Sequence, residues 1–125
     1  MAITHTLTYQ WASGAGSITH AIAVSSGAEN NLDEAIPENS TDLVVAFALD
    51  VSQLKALYMV ADAAMTVKTN TGADQTFTLV ANTPMAWNSG SPIVNPITVD
   101  ITTGLKVTNT TAGTLRIRAL IDPTL

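Results

Sequence analysis

Residues 57–81 read LYMVADAAMTVKTNTGADQTFTLVA, three short runs rich in apolar residues and threonine, parted by two connectors of turn residues. Leu57–Ala61, Met65–Asn70 and Gln75–Ala81 have the length and the β-branched and aromatic content of strands, and both Asp62–Ala64 and Thr71–Asp74 are hairpin-sized. Apolar residues recur with period two, which a pleated strand satisfies and a helix does not. This stretch therefore predicts antiparallel β-structure.

The same period holds outward in both directions. Toward the C-terminus, Ile97–Thr102, Leu105–Thr110 and Thr114–Ile121 read as strands with turns at Thr103-Gly104 and Thr111–Gly113, after a long loop over Thr83–Pro96. Toward the N-terminus, Leu43–Leu49 is the most apolar run and reads as a central strand covered on both faces. Asp50–Lys55 reads as a helical turn capped by Asp50 or Ser52. Pro37–Asp42 is a turn cluster, and Ala28–Pro37 is a short, weakly apolar strand. In the first strand Ile3, Leu7, Tyr9 and Trp11 share one parity and Thr4, Thr6, Thr8 and Gln10 the other, which predicts one buried and one polar face. After a turn over Ala12–Gly16, Ile18, His20, Ile22 and Val24 repeat that arrangement.

Nine or ten short strands at regular spacing predict an all-β fold, an antiparallel, jelly-roll-like β-sandwich forming one domain over residues 1–125. A chain of this length buries roughly two-thirds of its unfolded surface, enough for a hydrophobic core. Cysteine is absent, so packing and backbone pairing must supply the stability that small secreted domains take from disulfides. Met1–Trp11 has neither the basic start nor the continuous apolar run of a secretory signal, and no stretch approaches the ~20 apolar residues of a membrane span. A soluble protein made in the cytoplasm is expected, with no membrane partner.

Charged residues are only 12% of the chain, against about 25% in ordinary domains. The first 54 residues carry six acids and no base, and the remainder five bases and four acids. Nucleic acid is not an expected partner, because phosphate contacts require clustered Lys or Arg. Threonine-rich, weakly charged faces are soluble yet easily buried against another protein.

Few residues suggest chemistry. His5 and His20 lie on neighbouring strands without a metal-binding spacing and read as strand residues with one ring nitrogen satisfied. No serine sits in a nucleophile elbow, and neither an enzyme activity, a cofactor nor a metal is expected. Glu29–Glu34 has oxygens for calcium but lacks the looped ligand spacing, so a solvated edge strand is the better reading. Glu29, Asp33 and Glu34 stand as candidate partner contacts. So do Met85 and Trp87 on the proline-rich loop, where Trp87 serves either as a platform for a sugar or protein or as a lid on the sandwich. Arg116 and Arg118 share one strand face, placed to pair with acids across the sheet or to dock a partner.

The order of features over residues 43–125 resembles a known family. Leu57-Tyr58-Met59 leads to Met65-Thr66-Val67-Lys68-Thr69-Asn70, Phe77-Thr78-Leu79-Val80 and Pro84-Met85-Ala86-Trp87. Asn95-Pro96-Ile97, Asp100, Val107-Thr108-Asn109 and Leu115-Arg116-Ile117-Arg118-Ala119-Leu120-Ile121-Asp122-Pro123-Thr124 follow. This pattern is similar to the jelly-roll cement or decoration proteins of tailed-bacteriophage heads. The resemblance implies a structural virion protein on the capsid surface, a homo-oligomer (dimer or trimer) whose partner is the major capsid protein. The alternative is a carbohydrate- or receptor-binding β-sandwich from a tail fibre or adhesin, motivated by Trp87.

Overall fold

The computed structural model describes residues 2–125; Met1, where the N-terminal reading began, lies outside the described residues. Ten strands follow in order: β1 Ile3–Ser13, β2 Gly16–Ser26, β3 Ala28–Ile36, β4 Leu43–Val45, β5 Leu54–Ala61, β6 Met65–Thr69, β7 Gln75–Leu79, β8 Met85–Asn88, β9 Leu105–Asn109 and β10 Gly113–Ile121. One 3-10 turn, Val51–Gln53, precedes β5, and Asp50 caps it as expected, its carboxylate accepting from Ser52 N.

The strands form two antiparallel four-stranded sheets, ordered β3-β10-β5-β8 and β4-β9-β6-β7, with β1-β2 as a separate two-stranded ribbon. Period-two alternation explains the layering. Leu57, Met59, Ile117 and Ala119 point inward from the first sheet and meet Met65, Val67, Leu105 and Val107 from the second. The outward positions of the second sheet, such as Thr66, Lys68, Thr76 and Thr78, stay polar. Each large apolar side chain buried here contributes about 1.5–3 kcal/mol. The fold is thus an all-β sandwich of antiparallel strands, as the periodicity predicts.

Five features differ from the sequence expectation. Asp62–Ala64 does not close a hairpin, because β5 belongs to the first sheet and β6 to the second. Facing sheets lie only ~10 Å apart, so three residues suffice to change layer. Asp62 Oδ1 fixes this corner by accepting from Thr114 N at 2.7 Å. Leu43–Leu49 is not a central strand: β4 is a short edge strand pairing with β9. Beyond it Asn30 Nδ2 donates to the Ala48 carbonyl and Leu49 bridges to Ile101. A continuous apolar run cannot by itself separate a doubly covered strand from an edge strand with an exposed Val44.

Residues 83–96 are not all loop, since β8 pairs with β5 within them. Residues 97–102 form no strand beyond the Ile101 bridge. Their backbone donors are taken by side chains instead, Thr98 N and Val99 N by Gln75 Oε1 and Thr102 N by Asn70 Oδ1. Ile97 and Ile101 are nonetheless fully buried, which is why their spacing mimics a strand.

The largest departure is at the N-terminus. β1 and β2 pair along their whole length, from Ile3–Ser26 to Ser13–Gly16, but Leu7 is the only residue of this arm that is fully buried among those described. It packs with Ala56 and Leu120 on the outer face of the first sheet, joined by the half-buried Ile3, Val24 and Ala86. Toward the tip the same parity is open, with Trp11 and Ile18 largely exposed.

Candidate functional site

All seven candidate contact residues fall on the first sheet. Glu29, Asp33 and Glu34 lie on β3, Arg116 and Arg118 on β10, and Met85 and Trp87 on β8. The register divides them between two faces, because residues directly opposite in an antiparallel pair share a face. Arg116 opposes Asp33, Arg118 opposes Asn31 and Leu120 opposes Glu29, placing these on the outward face with Tyr58 and Ala56 of β5. Trp87 opposes Leu57, Met85 opposes Met59 and Glu34 opposes Leu115, so these three lie on the inward parity.

Trp87 accordingly behaves as a lid. Its ring packs on the core cluster beside Met85, and its indole Nε1–H donates to the Ile93 carbonyl at 2.8 Å. The loop that follows presents Ile93 and Val94 outward in its place.

On the outward face the arginines are committed to acids, as their spacing suggests. Arg118 Nη2 donates to both oxygens of Asp33 at 3.0 and 2.9 Å, while its Nη1 donates to the carbonyls of Leu32 and Ile117. Arg116 Nε stands 4.0 Å from the same carboxylate. Exposed pairs of this kind are worth at most about 1 kcal/mol, so their role is to set the geometry of the face.

The arm closes over this face. A cleft of about 430 Å³ runs between them, lined by His5 and Leu7 of the arm, Glu29 and Asn31 of β3, Tyr58 of β5 and Arg118 of β10. His5 Nε2 bonds Glu29 Oε2 at 2.7 Å, tying the arm to the strand from which it departs at Gly27. His5 therefore has one ring nitrogen satisfied, as anticipated. His20 is exposed and sits opposite Tyr9, four residues along the ribbon from the His5 position, so the two histidines do not converge.

The His5 hydrogen bond, helped by one from Asn31 and by the charges of His5 and Arg118, holds the Glu29 carboxyl below its ordinary value of 4.5. A carboxyl lowered on folding contributes stability present in full above its unfolded pKa and lost as pH falls through the folded one. The arm's attachment is therefore expected to loosen on acidification below 4.5. Weakening of the nuclear Overhauser contact between the Leu7 and Leu120 methyls between about pH 5 and pH 3 checks this. The same contact in His5→Ala should lose its acid transition, and an unchanged transition there would refute the assignment to this pair.

Two functional candidates escaped the sequence reading. Trp11 and Ile18, opposite each other near the arm's tip, are 75% and 63% exposed, and Tyr9 and Ile22 behind them are 41% and 37% exposed. Their alternation reads as a buried face because periodicity reports which residues share a side and not whether anything covers that side. The signal that marks the segment is charge. Every Asp, Glu, Lys and Arg of the chain lies at or after Glu29.

Among the described residues no group of three or more His, Asp or Glu side chains is placed to hold a metal ion, and no helix is long and apolar enough to cross a membrane. No protein-family model matches the chain, and searches of curated proteins and of solved structures return no match to it.

Proposed function

We propose that this protein is a structural virion component that binds the outside of a phage capsid and cements or decorates neighbouring capsomers, without enzymatic activity. The observation that carries the reading is the pairing of a weakly charged sandwich with an arm free of Asp, Glu, Lys and Arg whose apolar face is left open toward its tip. Such a shape suits a protein that adds buried area between subunits. Residues 43–125, which bear the resemblance to capsid cement proteins, make seven of the eight sandwich strands, so the likeness concerns the body and not the arm. Repetition over a capsid lattice multiplies a modest contact into substantial reinforcement. The carbohydrate- or receptor-binding alternative rested on Trp87, whose ring lies against the core and whose indole N–H is already engaged.

Purified protein is expected to co-sediment stoichiometrically with mature capsids and to raise the temperature at which they lose their contents. Protein that stays in the supernatant at saturating concentration would sink the reading.

A further inference from the structure

Nothing in the body of the fold uses the outer half of the arm. Cross-strand pairs Leu7–Ile22, Tyr9–His20 and Trp11–Ile18 place its large side chains on one face, and of these only Leu7 reaches the body's apolar surface. An isolated two-stranded ribbon is marginal in water, so this half gains order only when a further layer covers it. We propose that the layer is supplied by a second copy of this chain, the apolar faces of two arms packing on each other near Trp11 and Ile18.

Charge does not oppose a copy at this surface. The chain carries a net charge of −5, so two copies repel wherever their bodies approach. The arm, ending before Glu29, contributes no Asp, Glu, Lys or Arg, so contact between arms brings none of the chain's acids together, His20 being the one titratable group beside Trp11 and Ile18 on that face. Five residues of outer strand span about 17 Å, which holds the acidic bodies farther apart than the roughly 8 Å screening length of physiological salt. A partner chosen by charge would find nothing on this surface to read. Symmetry supplies the complement, since in a twofold contact Trp11 of each copy can lie over Ile18 of the other.

Size sets the strength. With about 150–250 Å² per aromatic ring, the four exposed side chains offer roughly 400 Å² of apolar surface in each copy. Two such faces together bury about 800 Å², the size of a weak, transient interface. Reversible association in the micromolar range follows.

Sedimentation velocity on the isolated full chain from about 1 to 100 µM, the range matched to such an interface, tests the proposal. The parent should shift with concentration from the 13.0 kDa chain toward twice that mass. The double variant Trp11→Ser/Ile18→Ser should bind itself about 30-fold more weakly or worse, as loss of two central apolar anchors predicts. At concentrations low enough that both are monomeric, its thermal midpoint should match the parent's, because neither side chain is part of the core. A parent that remains monomeric throughout would overturn the proposal, as would self-association that survives in the double variant. Dissociation produced instead by Ile93→Ser/Val94→Ser, on the loop after β8, would overturn it too. A monomer that pellets with capsids and loses that binding in Trp11→Ser/Ile18→Ser would assign the arm to the coat protein. No capsid enters the sedimentation experiment, so its failure and that of the capsid-binding reading are distinguishable.

Discussion

Asn70→Ala is expected to cost about 3–5 kcal/mol of folding stability, a large share of the 5–15 kcal/mol typical of a domain. Asn70 is buried at the end of β6, with φ of 63°. Its Oδ1 accepts from Thr102 N at 2.7 Å and Thr103 N at 3.0 Å, and its Nδ2 donates to the Asp100 carbonyl and to Asp74 Oδ2, both at 2.8 Å. One side chain thus satisfies the backbone of a segment that forms no strand and yet buries Ile101. Alanine strands those amides and that carbonyl, and it also tolerates the left-handed backbone poorly. The companion variant Asn70→Gly separates the two effects, since it accepts the backbone and removes only the side chain. Glycine should recover about 1 kcal/mol of the loss. In thermal unfolding the alanine variant should melt roughly 12–20 °C below the parent. A drop of only a few degrees would mean that water replaces the side chain and that residues 97–103 do not depend on it.

Gly104→Ala is expected to cost about 2–4 kcal/mol through a different mechanism. Gly104 has φ of 90°, and a Cβ there would stand 2.7 Å from the Val45 carbonyl oxygen, a backbone atom of the neighbouring strand β4. Relief requires β4 to move away from β9, and Val45 is a buried member of the core. Gly104 also presents its carbonyl to Asn70 N at 2.8 Å, so the two sites share one junction. The double variant should therefore lose less stability than the two single losses combined. Equilibrium urea unfolding of the parent and the three variants measures this coupling, and strict additivity would show that the two residues act independently.

These two residues also mark where local reading stops. In sequence Asn70 is the last residue of a strand and Gly104 one half of a Thr-Gly turn, both ordinary in such places. What makes them costly to change lies mostly thirty or more residues away along the chain, in hydrogen bonds and contacts that no local pattern reports. The candidate contacts divide in the same way. The pairing of Arg118 with an acid across the sheet is legible from strand parity, although the identity of that acid as Asp33 is not. Trp87 stands out for its proline-rich surroundings, yet its inward direction depends on β8 pairing with β5, which puts it opposite Leu57.

The class of the fold, nearly every strand, the edge placement of the acidic strand and the cap at Asp50 are legible along the chain. All of these follow from period-two alternation, turn residues and short-range hydrogen bonding, interactions that neighbours along the chain decide among themselves. Which strands share a sheet, the change of layer at Asp62–Ala64, and the way the apolar face of the N-terminal ribbon meets its own body at Leu7 and solvent at Trp11 all depend on contacts between distant parts of the chain. Alternation states which side chains lie together. Whether that side is covered depends on where a distant surface ends, and here the first sheet covers the base of the arm and leaves its tip open.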